Sequence, residues 1–227
     1  MGDKKQKEAL MKKVKQVLVV GACVLFVILM ILSGMSSHWL NIFTVVKPGD
    51  SVVVDYTMYD INGNPVLTSN QQTYTASATK GAEILYSKQL TMIAGQNLTK
   101  TIYPVLIYTS STGETREYAL FSVEYNAINQ ALTGMRAGDQ KRILVTWPTQ
   151  NPPNATFTND ELTQKGINNL TEGETLMLAF SENATATNST MYPRIAEITH
   201  KTSDGAIVDW GYPSVDISII SINAKNY

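Results

Sequence analysis

Residues 131–145, Ala131-Leu-Thr-Gly-Met-Arg-Ala-Gly-Asp-Gln-Lys-Arg-Ile-Leu-Val145, join two different patterns. Ahead of the joint, Ile128, Ala131, Leu132 and Met135 share the one-sided spacing of an amphipathic helix, with Asn126 placed to cap it. Beyond it, Lys141–Trp147 reads as a strand. Gly134 suits the left-handed residue that ends a helix, and Gly138 the turn Arg136–Asp139. The joint is therefore a helix stop, a tight turn and a strand start, with its charges on the solvated side.

Upstream, Ser51–Tyr59 is a β-branched and aromatic strand, Asn62-Gly63 a hairpin signal and Pro65–Thr68 its return. Gln71–Lys80 is small and polar and reads as loop. Ile102–Thr109 and Arg116–Val123 read as a second hairpin, with Pro104 favouring an edge. Downstream, residues 148–158 carry Pro148, Pro152 and Pro153 and break regular structure. Thr158-Asn-Asp-Glu161 is a capping box for a short helix that Gly166 ends. Strands follow near 175–180, 193–200, 206–210 and 215–223. Many short strands with one or two helices predict an antiparallel-rich α+β body.

The chain has 227 residues, 44% of them hydrophobic, enough for one domain and an appendage. Residues 16–35 hold no charge, and that length is about the ~20 residues a membrane-crossing helix needs. A tail at 1–15 with Lys4, Lys5, Lys7, Lys12, Lys13 and Lys15 precedes it. The expectation is a single-pass anchor at 16–37, a basic cytoplasmic tail and an extracytoplasmic body at the cell membrane. A cleaved signal peptide is the alternative, but the apolar core is long and ends in bulky residues. Cleavage at Cys23, as in a lipoprotein, would leave most of the apolar run on the wrong side. Five N-glycosylation acceptors, Asn97, Asn154, Asn169, Asn183 and Asn188, agree with an exported body. With Cys23 the sole cysteine, no intrachain disulfide forms, which suits a microbial, archaeal-like envelope.

Little in the sequence is overt chemistry. Its two histidines, His38 and His200, lack a Cys/His cluster, so neither metal nor other cofactor is expected. The glycines of the joint lack the Lys-Ser/Thr pair of a phosphate loop, and no G-x-S-x-G elbow occurs. Carboxylates are scattered, and the acidic balance of the body disfavours nucleic acid. Tyrosines are frequent, and a few of them can line an apolar groove for peptide.

Together, "VKPGDSVVVDYTMYDINGNPVLTS" and "NQALTGMRAGDQKRILV" resemble the FKBP-type prolyl isomerases. "FTNDELTQKGINNLTEGETLML", "RIAEITHKTSDGAIVDW" and "VDISIISI" are similar to the long members with an inserted β-rich flap. The resemblance covers most of 46–223 and implies an FKBP-like domain at 44–151 and 211–227, with the flap at 152–210. It implies an antiparallel sheet wrapped on a short helix, in which Gly134, Met135 and Gly138 are scaffold. It also implies a catalytic pocket at Tyr56, Val66, Leu67, Tyr125, Ile128 and Val215. Of these, Tyr56 keeps the family's residue. Val66 and Leu67 replace its Phe-Asp pair, Ile128 its floor tryptophan or phenylalanine, and Val215 an aromatic. Tyr125 would contribute its backbone N–H. The tyrosine of the family's A-Y-G loop has no counterpart.

Two functions follow from the resemblance. One is a membrane-anchored isomerase or folding helper, weakened by its altered pocket, for proline-containing or unfolded exported polypeptides. The other is a catalytically inactive binding module or accessory subunit of an envelope or membrane complex. An unrelated glycosylated surface β-domain is a third reading, favoured if the central helix does not pack on a sheet.

Overall fold

The structure, a computed structural model, describes residues 11, 15–27, 29–30, 44–109, 113–167, 171–183 and 188–223. The chain forms two compact units, 1–43 and 44–227. In the first, residues 15–27 are helical. Among the described residues, no helix is long and apolar enough to cross a membrane. This corrects the expected single-pass anchor, and the extracytoplasmic placement that depended on it. The described helical run is shorter than the ~20 residues that a hydrocarbon core requires; 31–37, the end of the expected span, lies outside the described residues.

The structure as a whole is mostly β, 39% strand against 23% helix, which corrects the α+β expectation. β1 (Ser51–Tyr59) is central to the first sheet, whose order is β3-β2-β1-β12-β7. Here β2 is Pro65–Thr68, β3 Leu85–Tyr86, β7 Gln140–Leu144 and β12 Ser214–Asn223. β4 (Leu90–Ile93) pairs with the first half of β1, and β2 with its last residues. β5 (Val105–Tyr108) and β6 (Thr115–Tyr118) form a separate hairpin. The second sheet, β8-β11-β10-β9, consists of β8 (Asn154–Thr158), β9 (Thr175–Phe180), β10 (Tyr192–Lys201) and β11 (Gly205–Asp209). All four strands fall in the segment 152–210.

Period-two burial on β1 sends Val52, Val54, Tyr56 and Met58 inward, and β12 matches it with Val215, Ile217 and Ile219. Helix α2 (Ser122–Leu132) lays Ile128 and Leu132 into the same core. Where the helix ends, Gly134 and Gly138 have φ of 87° and 88°. The Gly138 N–H donates to Ile219 at 2.8 Å, and the Ile219 N–H returns to Asp139 at 3.0 Å. The joint that opens the sequence thus ties the helix to the central strand pair.

Three local expectations change. Gln71–Thr79 is a helix, α1, because the Asn70 side-chain Oδ1 accepts the Thr73 N–H at 3.0 Å. α1 buries no residue, so it left no apolar stripe to read. α2 begins a turn before Asn126, at the point where the Glu124 carboxylate accepts the Phe121 N–H at 3.1 Å. Asn154–Thr158 is a strand despite the prolines before it. The capping box at Thr158 opens α3 (Asn159–Gln164) as expected.

Gly205 is required at the start of β11, since a Cβ there would overlap the Phe157 carbonyl oxygen on β8. Gly205→Ala is therefore expected to cost about 1–3 kcal/mol, as overpacking does. Urea unfolding measures it; an unchanged midpoint would mean that β8 shifts freely.

Candidate functional site

All six expected pocket residues meet in one cluster. Tyr56, Val66, Leu67, Ile128 and Val215 are core members, and Tyr125 packs against them. Met58 stands opposite both Leu67 and Val215, so three neighbouring strands contribute, and α2 covers them. The helix packs on the sheet, which removes the condition that would favour an unrelated surface domain.

The cluster is closed. Leu67, Ile128 and Val215 are 0% exposed and Tyr56 is 1% exposed. The Tyr125 backbone N–H donates to the Phe121 carbonyl at 2.9 Å within the helix, so it does not point freely at a ligand. The Tyr125 side chain stacks on Tyr103, with ring centroids 4.4 Å apart. A cavity of about 20 Å³ borders the cluster at Val66, lined also by Ile195 and Tyr212 and rimmed by Asp60, Glu197 and Asp209. That space holds about one water. Two larger depressions, about 420 and 550 Å³, lie around Asp216 on the outer sheet face and along α2 beside β7. Tyr56 borders the first of these, and Val66, Leu67, Tyr125, Ile128 and Val215 line neither.

Tyr56 carries an unresolved polar group. Neither its hydroxyl nor that of Ser87 completes a well-formed hydrogen bond, although the two are close enough for Ser87 to act on the phenol. Burial pushes the phenol above its usual range, against the pull of Ser87 and with a further push from Tyr118. An unpaired buried hydroxyl costs about 1–3 kcal/mol, so its retention calls for a reason.

Beside this core lies a charged residue that sequence reasoning missed. Arg194, on β10, is 0% exposed and ion-paired to Glu124, also 0% exposed, near the start of α2. Both of its terminal nitrogens reach that carboxylate, one at 3.0 Å. It also donates to the carbonyls of Ala119 at 2.9 Å and Trp210 at 2.6 Å. Its guanidinium carbon lies 3.9 Å from the Tyr212 ring centre and 4.9 Å from that of Phe121. Burial pulls its pKa down, but Glu124 and the phenols of Tyr212 and Tyr118 outweigh this, and the net shift is upward. The cation is therefore fixed.

Around it the polar groups are matched. Glu124 also accepts the N–H groups of Phe121 and Tyr212. The Tyr118 hydroxyl accepts the Ile195 N–H at 2.8 Å, and the Tyr212 hydroxyl, itself bonded to Tyr118, donates to the Ile195 carbonyl at 3.1 Å. Burial raises the pKa of both phenols, so they stay neutral donors. One sequence signal existed: Arg194 is a lone charge inside the apolar run 192–196.

Of the glycosylation acceptors, Asn97, Asn154, Asn183 and Asn188 are exposed, and Asn169 lies outside the described residues. Among the described residues no His, Cys, Asp and Glu group could hold a metal. No protein-family model matches the chain, and no characterised protein matches it in sequence.

Proposed function

We propose that the chain is an FKBP-like protein that binds proline-containing, unfolded polypeptides and acts as a weak peptidyl-prolyl cis-trans isomerase or folding helper. The observation that carries this is the Tyr56 hydroxyl, a buried donor that completes no well-formed hydrogen bond and neighbours only the Ser87 hydroxyl among the groups named for it, at the family's tyrosine position, under a short helix laid on the sheet. The X-Pro bond resists rotation through amide resonance. A dry apolar site with a donor to the twisted amide lowers that barrier by binding the transition state more tightly than the ground state. Such chemistry needs neither nucleophile nor metal. Tyr56 would be the donor, Val66 and Leu67 the wall, and Ile128 and Val215 the floor.

The closed cluster favours a second reading, a non-catalytic module that binds peptide without turning it over. One variant separates the two. Tyr56→Phe removes the orphan hydroxyl, so the fold is expected to hold or gain about 1 kcal/mol. Acceleration of a proline-limited refolding reaction is expected to fall about tenfold, the loss of about one hydrogen bond from the transition state. Unchanged acceleration would remove Tyr56 from the site. A wild-type chain with no acceleration, yet with affinity for an X-Pro peptide, would select the binding module.

A further inference from the structure

β10 begins Tyr192-Pro193-Arg194-Ile195, an X-Pro segment, and the structure docks it at the mouth of the cluster. The Pro193 carbonyl accepts the Ala119 N–H at 2.9 Å, just ahead of α2. Arg194 is gripped by Glu124 and lies against the Phe121 and Tyr212 rings. Both main-chain groups of Ile195 are held by the phenols of Tyr118 and Tyr212, and its side chain shares the small cavity with Val66. One edge of the segment is thus held by the residues around the start of α2 and by the two phenols, while its other edge pairs with β9, Tyr192 to Ile195 against Phe180 to Met177.

Resting on the prolyl-peptide reading above, we propose that residues 192–195 are an internal ligand of the cleft, and that an external client enters by displacing them. The occupant also describes the client: an extended chain in which proline is followed by a basic residue and then a β-branched apolar one. Glu124, the two aromatic rings and the carbonyls of Ala119 and Trp210 form a receptor for a guanidinium. The rim adds charge of the same sign, since Asp60, Glu197 and Asp209 border the cavity. Burial raises the pKa of Glu197 and Asp209, and the carboxylates of Asp60 and Asp209 raise Glu197 further. A cation arriving at the rim relieves that repulsion. A fully buried ion pair is a poor source of net stability compared with well-packed apolar side chains. Its presence where an apolar plug would serve fits a contact made to be exchanged.

The test uses the full chain and a fluorescent acetyl-Tyr-Pro-Arg-Ile-amide peptide, with acetyl-Tyr-Pro-Glu-Ile-amide as control. Arg194→Met, which keeps the stem and frees Glu124, is expected to bind the arginine peptide at least tenfold more tightly than wild type. It should also prefer the arginine peptide over the control. Arg194→Met with Glu124→Gln, in which no buried charge is left unpaired, covers a failure of the single variant to fold. It should keep the gain in affinity and lose the preference. In wild type, saturating arginine peptide should speed hydrogen exchange at the Ala119 and Ile195 amides. Equal affinity in wild type and variants, with those amides undisturbed, would overturn the internal ligand and leave prolyl-peptide binding intact. Absence of binding by wild type and by both folded variants would overturn the prolyl-peptide reading itself.

Discussion

Arg194→Ala is expected to destabilise the body by about 3–5 kcal/mol, the range for breaking a buried ion pair by removing one partner. The loss is large because the guanidinium is the point where separate parts of the chain meet. It joins Glu124 on α2, the Ala119 carbonyl before the helix and the Trp210 carbonyl after β11. Its removal leaves the Glu124 carboxylate buried with only the N–H groups of Phe121 and Tyr212 among its named donors. Glu124→Ala should cost a similar amount, because it strands the cation instead. The two losses should not add: the double variant is expected to fall short of their sum by about 2–3 kcal/mol, as partners in one network do. Urea midpoints of the four proteins measure this. Additive losses would mean that the pair contributes nothing jointly.

Ile128→Ala carries the second large effect, about 2–5 kcal/mol, as buried large-to-small changes do. Ile128 is 0% exposed, on the face of α2 that packs with Leu132, Tyr56 and Val215. If the residue lined an open pocket, truncation would only widen a space that water already fills, and the cost would be small. The size of the loss therefore reports whether the cleft is shut in solution. Thermal and urea unfolding give it directly; a loss under about 1 kcal/mol would indicate an open floor.

Strand and turn positions of the first sheet were legible because burial there follows a period of two. Ser51–Tyr59 and Pro65–Thr68 match their strands end to end. Gly134, Gly138 and the Thr158 capping box act through local backbone geometry, so their meaning survives without any tertiary context. Helix α1 escaped notice because it buries nothing and is held by a side-chain cap. The start of α2 was read one turn late, since the signal at Glu124 is a carboxylate that caps the helix and pairs with Arg194 at once. The terminal span was read from a charge-free run and its lysine-rich flank, and among the described residues no helix is long and apolar enough to cross a membrane.

At the site, the resemblance named six residues, and all six lie in or against the main hydrophobic core. Their state was not legible. Whether such a cluster is a pocket or a core depends on what packs with it, and Ile195 of β10, far along the chain from Tyr56, is part of it.

The most direct measurement is the rate of a proline-limited refolding reaction in the presence of wild-type chain and of folded Arg194→Met. With the internal segment as the obstacle and Tyr56 as the donor, wild type should accelerate refolding weakly and the variant at least tenfold more. No acceleration by either protein would contradict an isomerase site at this cluster.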